Sequence, residues 1–164
     1  MNVDKRKILI RRLGRTDLGV FKDLIRVFQV TFGSLEEEKP DPAYLKTLLE
    51  RPGMIILGVL LEGRVVGGLT AHELPRHDSP CSELYIYDVA ILPEFQHKGL
   101  GKKLMDFQGS YSRSLGIREY FVEANRVDQG AVRFYKACGG KTEAVVHFNF
   151  STDQDLPMLR NRRP

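Results

Sequence analysis

The sequence predicts an α+β (mixed α/β) fold in which one mixed sheet carries helices on both faces. Strand-like runs in a hairpin over residues 54–74 are followed by a strand–helix–strand run over residues 83–123. Hairpins beside such units are typical of a mixed sheet covered on both sides. With 164 residues the chain favours one core, and we expect a single domain over residues 1–150 with a C-terminal tail over 151–164.

The first elements are predicted to be a strand and two helices. Apolar residues from Ile8 to Leu13 predict the strand. Apolar side chains at helical spacing predict an amphipathic helix over residues 17–32, with Thr16-Asp17 as its N-cap. A second helix is expected to begin at Asp41-Pro42, since proline suits the first helical position, and to stop at residues 51–53.

The remaining elements supply most of the sheet. Two strands joined by a hairpin turn are followed by the strongest strand candidate, which Pro93 ends. After Gly99 the order becomes helix, strand, helix, strand. The predicted bounds are 54–61, 65–74 and 83–92 for the first three strands, about 100–115 for the helix, then 117–123, 130–137 and 144–150.

Composition excludes several classes of protein. The longest apolar stretch, Met54–Leu61, is too short to span a bilayer, so we expect no membrane association. The first residues lack the apolar core of a signal peptide and only two cysteines occur, so we expect a cytoplasmic protein without a disulfide framework. The net charge of +4 suits an anionic ligand, but basic clusters lie only at the two ends, so we expect no nucleic-acid partner.

One glycine-rich segment, Gln96-His97-Lys98-Gly99-Leu100-Gly101-Lys102, follows a predicted strand and opens a predicted helix. Its glycines let the backbone curl so that amide N–H groups converge, and the helix N-terminus adds its positive dipole. The spacing matches neither a Walker loop nor a dinucleotide-binding motif. The segment fits a pyrophosphate site without magnesium, and it fits equally a glycine-rich helix entry that binds nothing.

Its context extends the interpretation. With the strand Asp88–Pro93 before it and the segment Asp128–Gly140 after it, the motif resembles the acetyl-coenzyme A site of the GNAT superfamily of N-acetyltransferases. The resemblance covers residues 8–150. The run Ser82–Ala90 is further similar to type I aminoglycoside 3-N-acetyltransferases (gentamicin acetyltransferases). This implies a mostly antiparallel sheet splayed between its fourth and fifth strands, and direct acetyl transfer to the 3-N amine of an aminoglycoside, conferring resistance.

The resemblance also implies acetyl-CoA as the cofactor and indicates the residues that hold it. Backbone amides of the glycine-rich segment would bind the pyrophosphate. The strand before it would pair with the pantetheine amides and donate an N–H to the thioester oxygen, as in other oxyanion holes. The expected cofactor-binding residues are Val89, Ala90, Ile91, Gln96, His97, Lys98, Gly99, Leu100, Gly101, Lys102 and Asp128.

Proton transfer requires an acid for the leaving thiolate and an acceptor for the amine proton. Tyr135 lies at the family position for the acid. For the acceptor, alternation along the strand places Glu83 and Asp88 on opposite faces unless a bulge intervenes. Asp88 interrupts an apolar face and is favoured as a substrate-facing acid. Glu83 is the second catalytic candidate, and Glu123 and Asp128 stay open.

An aminoglycoside is a polycation, so its binding residues should be acidic. The expected set is Glu36, Glu37, Asp88 and Glu123. The histidines lack metal-ligand spacing, so no metal site is expected. The partners expected are a cationic small-molecule amine and, from the resemblance, a second copy in a homodimer. The alternatives are a GNAT enzyme for a polyamine, an amino acid or a protein N-terminus, and a non-catalytic acyl-CoA-binding module.

Overall fold

A computed structural model describes residues 7–34 and 40–152. The chain divides into two compact units, Met1–Glu123 and Ala124–Pro164. Among the described helices, none combines the length and the apolar character needed to cross a membrane. The expectation of one domain over residues 1–150 stays a prediction.

The described part of the first unit follows the predicted order of elements. Its strands are β1 (Ile8–Arg12), β2 (Met54–Leu61), β3 (Arg64–Pro75), β4 (Ser82–Ile91) and β5 (Tyr120–Val122), and its helices are α1 (Leu18–Phe32), α2 (Pro42–Glu50) and α3 (Leu100–Ser114). β5 is shorter than predicted, because the amide of Ile117 still bonds the carbonyl of Ser112 at the end of α3 (3.0 Å).

The five strands form one sheet in sequence order. β1 to β4 pair antiparallel, and β5 lies parallel to β4. A parallel pair requires a crossover connection, which α3 supplies between β4 and β5. The predicted mixed, mostly antiparallel sheet is therefore confirmed.

Helices cover both faces of this sheet. All eight residues of β2 are buried, so neither of its faces is open to solvent. Met54 and Ile56 belong to a core cluster with side chains of α1 and α2. Because side chains alternate along a strand, Ile55 and Leu57 point to the opposite face, and α3, which contacts both β2 and β4, covers that face.

Pairing between β4 and β5 is confined to one end of β4. Within the described residues, β5 pairs with β4 only over Leu84–Ile86, so the rest of β4 extends beyond β5. This limited pairing leaves the edge of β4 from Tyr87 to Ile91 unpaired by β5. The splay expected between the fourth and fifth strands stays a prediction.

The second unit is described over residues 124–152. Its helix, α4, spans Gln129–Ala137. The carboxylate of Asp128 accepts a hydrogen bond from the amide of Ala131 (2.9 Å) and caps the first turn. Gly139, at φ 92°, follows the helix in the left-handed region that the sequence pattern predicts there.

The predicted last strand over Ala144–Phe150 is wrong. These residues all belong to the described part of the chain, and they form neither a strand nor a helix. Phe148 and Phe150 are 72% and 89% exposed. Alternating apolar residues form a strand only when their backbone groups pair with a neighbouring strand, and the alternation alone does not supply that partner.

Candidate active site

The glycine-rich segment turns sharply out of β4 and into α3. A 3-10 turn, Pro93–Phe95, follows the strand, and the side-chain amide of Gln96 donates to the carbonyl of Ile91 (2.9 Å). His97 and Gly99 then adopt left-handed φ values of 57° and 79°. This conformation suits glycine and costs a residue with a Cβ about 1–2 kcal/mol. The segment between β4 and α3 therefore has a constrained backbone conformation that neither the strand nor the helix requires.

This turn leaves a run of amide donors without acceptors. Gly99 is the N-cap of α3 and has no side chain to cap it. Within the described part of the chain, the amides of residues 97–102 donate no hydrogen bond, whereas the next one, of Lys103, bonds the carbonyl of Gly99 (3.0 Å). Exposed helix N-termini of this kind bind anions through their N–H groups and the helix dipole. The segment has the donors that a pyrophosphate needs.

The side chains of Lys98 and Lys102 each contact neighbouring residues of the protein. The ammonium of Lys98 donates to the carbonyl of Glu94 and lies 5.5 Å from the centre of the Phe95 ring. Lys102 forms a weak ion pair with Asp106 (3.3 Å). Both side chains are exposed, so they add positive charge to the region. The backbone amides supply the directional contacts.

The end of β4 offers further backbone donors. The amide of Leu92 donates to the carbonyl of Val66 in β3 (2.9 Å). Successive amides point to opposite edges of a strand, so those of Ile91 and Val89 point away from β3, and that of Ala90 points toward it. Val89 and Ile91 therefore direct their N–H groups to the edge that β5 leaves unpaired. A thioester oxygen or an amide carbonyl could accept these bonds.

A β-bulge at Tyr87 changes the face on which Asp88 lies. In the register between β3 and β4, Thr70 pairs with Asp88 and Ala71 with Ile86, so Tyr87 is the extra residue. Thr70 lies opposite Ile56, on the face that α1 and α2 cover. Its hydroxyl donates to the carboxylate of Asp88 (3.1 Å). Asp88 thus leaves the face of Leu84 and Ile86, where unbroken alternation would place it.

Four rings lie side by side on the same face, in an arrangement that we call the aromatic row. His72 contacts Tyr87 edge-on (centroids 5.9 Å apart), Tyr87 contacts Tyr85 edge-on (5.8 Å), and Tyr85 stacks on Phe121 (5.1 Å). The Tyr85 hydroxyl donates to the carboxylate of Glu123 (3.2 Å). The structure therefore brings Asp88 and Glu123 to one surface.

The aromatic row is not predicted from the sequence. One signal was available, since Tyr85 and Tyr87 alternate along the strand beside an acidic residue. The rings of His72 and Phe121 come from other strands. Their contribution depends on the strand register, and the bulge makes that register irregular.

Glu83 has a strong partner of its own. Arg76 forms ion pairs with Glu83 and Asp78 together, in the connection between β3 and β4. Hydrogen bonds from Arg76 lower the pKa of Asp78 to about 2, and those carboxylates raise the pKa of Arg76 above its ordinary value. Glu83 therefore stabilises a hairpin connection, which makes it a weaker candidate for accepting a substrate proton than Asp88.

The remaining predicted site residues lie in the second unit or outside the described residues. Asp128 caps α4, as described above. Tyr135 lies in α4 with its ring half-buried and 5.1 Å from that of Phe134. Glu36 and Glu37 lie outside the described residues. Among the residues that are described, no group of three or more His, Cys, Asp and Glu side chains is arranged to hold a metal ion.

Comparison with known proteins agrees with this geometry. Residues 21–139 match the family model described as "Acetyltransferase (GNAT) family". No curated protein sequence is a significant match.

Several solved structures are similar to the chain. The aminoglycoside acetyltransferase meta-AAC0020 from an uncultured soil metagenomic sample, in complex with sisomicin, is 35% identical with a TM-score of 0.86, over 89% of this chain and 97% of that one. The aminoglycoside acetyltransferase HMB0005, also from an uncultured soil metagenomic sample, is 28% identical with a TM-score of 0.85, over 90% and 99%. The ribosomal-protein-alanine N-acetyltransferase of Brucella melitensis biovar Abortus 2308 is 17% identical (TM-score 0.71, 88% and 99%) and shares the fold alone.

Proposed function

Because the chain belongs to the acetyltransferase (GNAT) family, we propose that it transfers the acetyl group of acetyl-coenzyme A directly to an amine of an aminoglycoside, at the 3-N position. The observation that carries the donor half of this proposal is the run of unpaired amides over residues 97–102 at the start of α3. A diphosphate is the anion that such a run of donors fits.

The donor site would use two stretches of backbone. Residues Gln96 to Lys102 would hold the diphosphate, with the side chain of Gln96 fixing the segment to β4 through its bond to Ile91. The outward N–H groups of Val89 and Ile91 would hold the pantetheine arm and polarise the thioester oxygen. One oxyanion donor of this kind is typically worth about 3 kcal/mol. When bound, acetyl-CoA supplies the acetyl group in activated form, as a thioester.

The reaction needs one side chain to accept the proton of the amine and another to protonate the leaving thiolate. Asp88, one residue before Val89, is our candidate for accepting the proton of the amine, directly or through a water molecule, and Glu123 is the second candidate. The hydroxyl of Tyr135 would protonate the leaving thiolate. A tyrosine with an ordinary pKa of about 10 is a weaker acid than a thiol at about 8.5, so the site must position and tune it.

The acceptor half rests on charge and on similarity. Asp88 and Glu123 share one face of the sheet, and a polycationic acceptor requires such carboxylates. A relative 35% identical to this chain has been solved in complex with sisomicin, an aminoglycoside. Glu36 and Glu37 remain candidate ligands for the ammonium groups of the acceptor.

The experiment that tests the function measures thiol release from acetyl-CoA with sisomicin, gentamicin or spermidine as the acceptor. We expect turnover with both aminoglycosides and acetylation at the 3-N position, which product mapping by NMR will locate. Reactions without an acceptor provide the background hydrolysis rate. Turnover with spermidine alone would contradict the aminoglycoside proposal, and modification at another nitrogen would contradict the regiochemistry.

We further propose that the protein works as a homodimer in the cytoplasm, as the resemblance to its family implies. Sedimentation equilibrium of the purified protein tests the oligomeric state. A mass equal to that of one chain across the micromolar range would contradict the dimer.

A further inference from the structure

The rings of the aromatic row are more exposed to solvent than aromatic rings in the hydrophobic core. Tyr85, Tyr87 and His72 are half-buried, and Phe121 is 41% exposed. The largest side chains of the core, such as Phe21, are by contrast almost completely buried. Adjacent aromatic rings that keep one side accessible are typical of binding surfaces.

The aromatic row has a defined width and two carboxylates beside it. Its rings come from three adjacent strands, β3, β4 and β5, so it extends for about 10 Å across the sheet. Glu123 lies beside the β5 end, held by the hydroxyl of Tyr85. Asp88 follows Tyr87 directly in β4, on the same face. A ligand on the row would meet ring surfaces and, beside them, the two carboxylates.

Such an arrangement would bind some classes of amine better than others. Ring faces attract cations and the apolar faces of sugar rings, while the carboxylates bind ammonium groups. A rigid ring loses little conformational freedom on such a surface. A linear polyamine must fix many torsions to reach the same contacts, and each ordered group reduces its affinity.

We propose that the aromatic row selects rigid amino sugars over linear polyamines, and that Tyr85 is the specificity-determining residue. Tyr85 links the rings of the row to a carboxylate, because its ring meets Tyr87 and Phe121 and its hydroxyl donates to Glu123. This inference rests on the proposed function, since it concerns the acceptor side of the same site.

The test compares two substitutions of Tyr85 with two acceptors. Tyr85→Leu removes the ring and the hydroxyl, and Tyr85→Phe removes only the bond to Glu123. We expect Tyr85→Leu to lower kcat/KM for sisomicin about tenfold, mainly through KM, and to leave kcat/KM for spermidine within about threefold of the original. Tyr85→Phe should lose less, and KM for acetyl-CoA should not change in either variant.

Tyr111→Leu is the matched control, because Tyr111 lies on α3, where it stacks on Phe107. It should leave the ratio of the two kcat/KM values unchanged. If Tyr85→Leu fails to fold, judged by its thermal unfolding, Phe121→Leu replaces it, since that ring is more exposed. An unchanged ratio in the folded variant would overturn the role of the row.

Calorimetry of sisomicin binding to the protein without coenzyme separates this inference from the proposed function. If wild type releases no thiol with any aminoglycoside but binds sisomicin, and Tyr85→Leu loses that binding, the acetylation proposal fails and the row is supported. If wild type acetylates sisomicin and Tyr85→Leu does so equally well, only the inference fails. If wild type does not bind sisomicin at all, the inference is overturned as well.

Discussion

The carboxylates of Asp17 and Asp88 have different roles, which their burial alone does not distinguish. Asp17, before α1, accepts two hydrogen bonds from Arg11 (2.7 and 2.8 Å) and one from the amide of Gly14 (2.8 Å). It joins β1 to the start of α1 and leaves the helix N-terminus without a side-chain cap. Asp88 instead lies among polar and aromatic groups on the face of the proposed acceptor site. Asp17 is therefore structural, and Asp88 is the candidate for chemistry.

Asp17 should make the free energy of unfolding depend on pH in the acidic range. The hydrogen bonds from Arg11 lower the pKa of Asp17 from 3.8 to about 2 in the folded protein. A lowered pKa contributes stability above pH 4 and loses that contribution as the pH falls from about 4 to 2. Since both side chains are partly exposed, we expect Asp17→Asn to cost about 1 kcal/mol at pH 6.

Urea unfolding of wild type and Asp17→Asn at pH 6, 4 and 2.5 checks this expectation. The difference between the two proteins should shrink as the pH falls. A difference that stays constant with pH would contradict the ion pair as its source. Asp78→Asn is a useful comparison, because that aspartate also has a pKa of about 2 but is more exposed than Asp17, so its ion pair should matter less.

Tyr135 is proposed to protonate the leaving thiolate, and this role can be tested by removing its hydroxyl. We expect Tyr135→Phe to lower kcat by about 100-fold, as expected for the loss of a general acid, and to leave the Kd for acetyl-CoA within about twofold. Tyr111→Phe, which removes a hydroxyl from α3, is the control. Steady-state kinetics and calorimetry together check the result. Unchanged turnover would remove Tyr135 as the acid.

At the scale of elements, the glycine-rich turn and the bulged strand position the site. Gly99 is the glycine whose conformation matters most to the donor half. A Cβ built on it would meet no atom within 4 Å, so a larger residue fits the space and is opposed only by the φ of 79°. The restriction at this position is therefore one of backbone conformation, and a substitution should disturb the alignment of the amides.

Gly99→Val should weaken acetyl-CoA binding about tenfold, because a β-branched residue disfavours the left-handed φ by about 1–2 kcal/mol and would move the amides that we propose bind the diphosphate. Gly116→Val is the matched control. Gly116 also has a positive φ of 75° and empty space around it, at the other end of α3. Calorimetry should show a loss of affinity for the first variant alone. An equal loss in both would indicate a general loss of structure.

How far the sequence predicts these elements depends on the kind of interaction that forms them. Helix α2 was predictable because its signals are local: Asp41 caps it, accepting from the amide of Ala43 (2.8 Å), and Pro42 begins it. The glycine-rich segment was predictable for the same reason. The bulge at Tyr87 was not, because it depends on how β4 aligns with β3, and the faces of Asp88 and of the row depend on it.

At the scale of the whole molecule, net charge is a poor guide to the acceptor. The chain carries +4, yet its proposed acceptor surface contains Asp88 and Glu123. The basic residues near the glycine-rich turn suit the anionic coenzyme instead. Long-range pairing also limits prediction, since Val146 and Phe148 alternate as in a strand but are 77% and 72% exposed.

The extra residue at Tyr87 has a consequence for how the strand can change in length. Since Tyr87 has no opposite residue in β3, deleting it would leave every other residue of β4 facing the same way. A deletion elsewhere in β4 would instead invert the downstream side chains. Loss of this one codon is thus a route by which a lineage could remove a ring from the proposed acceptor surface while keeping the sheet intact.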